Sequence, residues 1–123
     1  MGLEEAINGL LKTREALRST RGITDPNFIS EQMQRLAQYT GAVEEHLANY
    51  EEQLEEKEMD LFKHQTNVQG KSINQAEIIT RMETGDLKGQ VAKLKRYVNS
   101  SWQIVGVAQS RFNHLQKQTT GQI

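Results

Sequence analysis

The side chains best suited to chemistry at neutral pH are three histidines and several paired carboxylates, and neither group is spaced as a site requires. His46, His64 and His114 form no close pair of ligands on one helix face. Asp60 and His64 stand four residues apart, enough to supply two ligands but more simply an ion pair on a helix surface. Glu51-Glu52 and Glu55-Glu56 fall on a solvated face, without the apolar pocket a general acid needs. Gly85-Asp86-Leu87-Lys88-Gly89 holds two glycines but lacks the spacing of a phosphate loop and the strand that precedes one. No cysteine occurs among the 123 residues, which excludes disulfides and thiolate metal sites. The expectation is a protein that is not an enzyme, with no metal ligands and no cofactor.

What remains is electrostatic. The net charge is −1, but it is segregated. Residues 1–26 are balanced, residues 27–69 carry a net −6, and residues 70–123 carry a net +5. The acidic block runs from Glu44 to Asp60, and the basic block is Lys88, Lys93, Lys95 and Arg96. Two readings compete. In one, the blocks lie opposite each other within the chain and align its helices, as flanking charges do in coiled coils. In the other, some of Lys71, Lys88, Lys93, Lys95 and Arg96 face outward and bind phosphates, while Tyr97 and Trp102 stack on unpaired bases, a device that tolerates any sequence of a single strand, although Trp102 is more simply a core or interface anchor. Lys93, Lys95 and Arg96 lie on at least two faces of a helix, so not all of them can pair across one seam. The near-neutral net charge weighs against nucleic acid, because dedicated binders are usually basic.

The elements that must carry these residues read as helices. Pro26 is the only proline, and Asp25 before it is an N-cap with proline at the first helical position. Before this break Leu3, Ile7, Leu10 and Leu17 recur at helical spacing and predict an N-terminal amphipathic helix within residues 1–22. After it, steps of four and three residues pick out Ile29, Met33, Leu36, Thr40, Val43, Leu47, Tyr50, Leu54, Lys57, Leu61, His64 and Val68. Nine of these twelve are apolar, against about four expected from a 36% hydrophobic composition, which marks a coiled-coil seam over residues 26–69. Such a helix is roughly 65 Å long. Gly70 suits a left-handed helix end, and Ser72 with Gln75 is a capping box that opens the next helix. That helix spans 72–118 with a kink near 85. Its seam is Leu87, Val91, Leu94, Val98, Ser101, Val105, Ala108, Phe112 and Leu115, and eight of these nine are apolar. Residues 119–123 read as a frayed tail.

A short connection between two long helices makes them antiparallel neighbours. The expected fold is therefore all-α: a long, coiled-coil-like antiparallel hairpin with a short N-terminal helix. Val98, Trp102, Val105 and Phe112 cover more of the last helix than one partner helix can bury, so they are the expected interface of a homo-oligomer. No apolar run approaches the ~20 residues that cross a bilayer. The start Met1-Gly2-Leu3-Glu4-Glu5 is acidic rather than basic, unlike a signal peptide. Glu4, Glu5 and Glu15 argue against a membrane-surface role for the first helix. A cytoplasmic protein without membrane contact is expected.

One resemblance is specific. The run Tyr39-Thr40-Gly41-Ala42-Val43-Glu44-Glu45-His46 lies in the heptad helix, and a polar turn follows at Gln69-Gly70-Lys71-Ser72. The last helix carries Trp102-Gln103-Ile104-Val105 and then Ser110. In this order and architecture residues 28–118 resemble the UvsY family of tailed-phage recombination mediators. The resemblance implies a non-enzymatic, ring-forming oligomer that binds single-stranded DNA and helps a RecA-type recombinase displace a single-strand binding protein. It also implies DNA contacts from basic residues near the end of the first long helix, where this chain offers Lys63, His64 and Lys71. The block from Lys88 to Arg96 is added from the charge pattern and not from the family.

The function expected is thus an oligomeric accessory protein of phage DNA recombination or replication, in the host cytoplasm. Its partners are single-stranded DNA and a recombinase or single-strand binding protein. The alternative is a coiled-coil interaction protein (an inhibitor of a host enzyme, a chaperone or a scaffold) that works through its acidic helix without nucleic acid.

Overall fold

The computed structural model describes residues 1–120, which are all-helical with no strand among them. The chain divides into two compact units. One comprises Met1–Glu45 together with the chain from Arg96 onward, and the other is His46–Lys95.

Helix α1 covers Leu3–Arg18. Glu4 and Glu5 in its first turn suit the positive end of the helix dipole. Ala6, Leu10, Thr13 and Leu17 form its buried stripe at steps of four and three. The helix stops one turn early, because Ser19 adopts an extended conformation and its hydroxyl donates to the Ala16 carbonyl at 2.6 Å. The same oxygen accepts from the Gly22 N–H and so caps a short second helix, α2, Thr20–Thr24. Ser, Thr and Asn side chains compete with the helix for backbone groups in this way. Asp25 then caps α3, its Oδ1 accepting from the N–H groups of Asn27 and Phe28 at 3.1 and 3.3 Å.

Helix α3 runs Pro26–Lys63 without interruption. Within the first unit its seam residues Ile29, Met33, Leu36, Thr40 and Val43 are buried. The Thr40 hydroxyl returns its hydrogen bond to the Leu36 carbonyl at 2.7 Å, so it costs little there. Gly9 of α1 lies against the ring of Tyr39 so closely that any Cβ at residue 9 would overlap it. The remaining core of this unit comes from Val98, Ser101 and Ala108.

In the second unit the seam holds at Leu47 and then thins. Tyr50, Leu54 and Leu61 are half-buried, while Lys57, His64 and Val68 are exposed. The α-helix expected to reach residue 69 instead widens into a π-helical turn over His64–Val68. The Gln69 N–H reaches back five residues to the His64 carbonyl, and the Thr66 hydroxyl donates to the Phe62 carbonyl. A wider turn breaks the 3.5-residue phase, and Val68 is left 69% exposed. Gly70 takes a left-handed φ of 65°, and the Ser72–Gln75 capping box starts α4, Ile73–Glu83. Thr84 closes α4, and α5 follows at once as Gly85–Thr120. Helix α5 includes Thr119 and Thr120 of the expected tail, and residues 121–123 lie outside the described residues. No helix among the described residues is long and apolar enough to cross a membrane.

Candidate nucleic-acid interface

Helix α5 is the element that positions the basic block. Asp86 is the last acidic residue of the sequence; from Leu87 on, the helix carries Lys88, Lys93, Lys95, Arg96, Arg111 and Lys117 and no carboxylate. None of these cations therefore has an acidic neighbour three or four residues further along its own helix. Any neutralisation has to come from another element or from a ligand.

The buried stripe of α5 sets where the cations point. Val91, Leu94 and Val98 are buried. By helical geometry Arg96 lies about 170° and Lys93 about 130° round from that stripe, while Lys88 and Lys95 share one flank. Lys88 is engaged, its Nζ 3.7 Å from a Glu58 carboxylate oxygen. Both side chains are about two-fifths exposed, so this pair contributes little to stability. Nearby, the Lys57 ammonium donates to the Glu83 carbonyl at 3.1 Å, a contact at the end of α4. Among the described residues Lys63, Lys71, Lys93, Lys95 and Arg96 are exposed and have no ion-pair partner.

The aromatic residues are differently placed. Tyr97 is half-buried, and its carbonyl accepts from the Ser100 hydroxyl, which in turn accepts from Arg14 at 3.2 Å. Trp102 is 41% exposed, but its indole N–H donates to the Glu44 carboxylate. A carboxylate beside the indole repels phosphate, so Trp102 adds nothing to a basic surface.

Of the four expected oligomer contacts, Trp102 is exposed, Val105 and Phe112 are half-buried, and Val98 is only 7% exposed in a single copy. Val98 thus has almost no surface left for a second copy to cover. It faces inward because its heptad position continues the stripe of Val91 and Leu94.

One functional-looking side chain was not anticipated. The Arg111 guanidinium donates to the carbonyls of Leu17 and Gly22 at 3.3 and 2.9 Å. These are carbonyls at the ends of α1 and α2, where helices lack internal partners. A cation at a helix C-terminus also suits the dipole. Arg111 lines a small cleft of about 220 Å³ with Leu17, Ile104, Val107 and Ala108. The only trace of it in the sequence is a lone cation between Arg96 and Lys117.

Compared with known proteins, the chain matches no family model, no curated sequence and no solved structure.

Proposed function

We propose that this chain is a non-enzymatic, oligomeric accessory protein of DNA recombination or replication that binds single-stranded DNA along α5 and assists recombinase loading. The observation that carries the reading is the carboxylate-free run of α5 with Lys93, Lys95 and Arg96 exposed and unpaired. Lys63 and Lys71, on either side of the π-helical turn, and half-buried Tyr97 are the other residues this reading assigns to DNA. Lys88 plays a lesser part, because Glu58 already shares its charge. The arrangement that would hold these groups is an antiparallel helical hairpin folded about Gly70. It is supported by the contact between Lys57 and Glu83, which lie equally far before and after that glycine, and by the short connection between helices.

Phosphate neutralisation releases counterions, so affinity should fall steeply with salt. The test is fluorescence anisotropy with a labelled oligonucleotide at low salt. The expected result is micromolar binding that weakens at higher salt and is lost in the double variant Lys93→Glu with Arg96→Glu. Absence of binding at tens of micromolar protein ends the DNA reading.

A second reading has one observation in its favour. Glu51, Glu52, Glu55 and Glu56 of α3 are exposed and, among the described residues, have no ion-pair partner. A partner protein with a basic surface would dock there. Retention of that partner after nuclease treatment, and its loss on reversing these four charges, is the result this reading requires.

A further inference from the structure

Helix α4 buries one side and carries exposed apolar residues on the opposite side. Its inward side is Ala76, Thr80 and the C-cap Thr84, all buried. On the other side Ile78 and Met82, one turn apart, are 55% and 77% exposed. A helix with a single packing partner needs one apolar stripe, and its opposite face is normally polar. Here the second stripe is uncovered in the second unit, which buries little else: Leu47, Ala76, Val91 and Leu94 are its buried apolar side chains among the described residues.

We propose that this outward stripe is where two copies of the chain associate, α4 of one packing antiparallel on α4 of the other. The flanking charges favour a second copy over an unrelated helix. Glu77 and Arg81 lie on one flank of the Ile78–Met82 stripe, and among the described residues neither has an ion-pair partner. In a two-fold antiparallel pair each flank meets its own reverse. Glu77 of either copy then faces Arg81 of the other, and Ile78 of either copy meets Met82 of the other, so both contacts form twice. The self-complementarity follows from four residues within six positions of one helix and needs no other partner.

Glu77 and Arg81 rim a cleft of about 360 Å³ whose walls include Met59 and Phe62. Met59 is 51% exposed, and the Thr80 hydroxyl at the cleft is buried without a hydrogen-bond partner. The surface is distinct from Val98, Trp102, Val105 and Phe112.

The proposal rests on the self-association in the reading above and names its surface, while DNA binding is measured apart. Light scattering on a sizing column, at micromolar protein, reads the mass. The wild-type chain should run at twice its 14.0 kDa or a higher even multiple. Met82→Asp should raise the dissociation constant at least about tenfold and release single chains. Its circular dichroism should stay that of the wild type, because residue 82 is solvent-facing within one copy. Arg81→Glu should weaken association, and adding Glu77→Arg to it should restore the mass, since the reversed pair is again complementary. A single-chain wild type, or association that survives Met82→Asp in a helical protein, overturns the proposal. So does failure of the swapped pair to restore association. Oligonucleotide anisotropy on the wild-type chain separates the two claims: an associated wild type that binds no DNA rejects only the DNA reading, and a single-chain wild type that binds DNA rejects only this proposal.

Discussion

The two units are built from the same kind of helix and differ in how much they bury. The unit of Met1–Glu45 and the chain from Arg96 onward buries Ala6, Leu10, Leu17, Ile29, Met33, Leu36, Val43, Val98 and Ala108. His46–Lys95 buries only Leu47, Ala76, Val91 and Leu94. Yet α3 passes through both with one continuous heptad pattern. The first unit also contains α1, whose Ala6, Leu10 and Leu17 are buried. A side chain between two helices keeps one side open to water, and a third closes it. Heptad spacing thus tells which face turns inward, and the number of neighbours decides how far.

Matched truncations offer the strongest way to break this comparison. Leu36, fully buried in the first unit, should lose about 2–5 kcal/mol of stability as Leu36→Ala. Leu54, also on the seam but half-buried in the second, should lose about 1 kcal/mol or less as Leu54→Ala. Urea denaturation measures both, and equal losses would erase the contrast. Next in size is Arg111→Ala, expected to cost about 2–3 kcal/mol, because it strips a charged donor from two helix-end carbonyls. Arg96→Ala serves as its control and should stay within about 0.5 kcal/mol; a similar cost for both would show that Arg111 holds nothing. Gly70→Ala sharpens the other side. It forces a side chain into a left-handed φ of 65° and should cost about 1–2 kcal/mol by thermal melting. The smallest effect is expected for Lys88→Ala, at most about 0.5 kcal/mol, because its pair with Glu58 is solvated. A larger loss there would mean that charge, and not burial, holds the second unit.

Several features of the fold were legible before any coordinates. The Asp25–Pro26 start of α3 and the Ser72–Gln75 box of α4 are local hydrogen bonds between near neighbours in sequence, so residue type and spacing suffice to find them. The inward stripes were legible for the same reason, as periodicity is a property of the chain alone. The Ser19 break and the π-helical turn were not, because a Ser or Thr hydroxyl can serve the helix or interrupt it, and composition does not decide which.

The amino-acid sequence by itself therefore determined helical class, where most helices begin, and the separation of acidic from basic charge. Only the tertiary structure decided which charges are already spent. It placed Trp102 against Glu44, 58 residues away, and Arg111 against Leu17, 94 residues away. It also left Lys93, Lys95 and Arg96 open and Val98 covered. The physical reason is range: caps and stripes act within a turn or two of the chain, whereas neutralisation and burial depend on whatever distant segment the fold brings alongside.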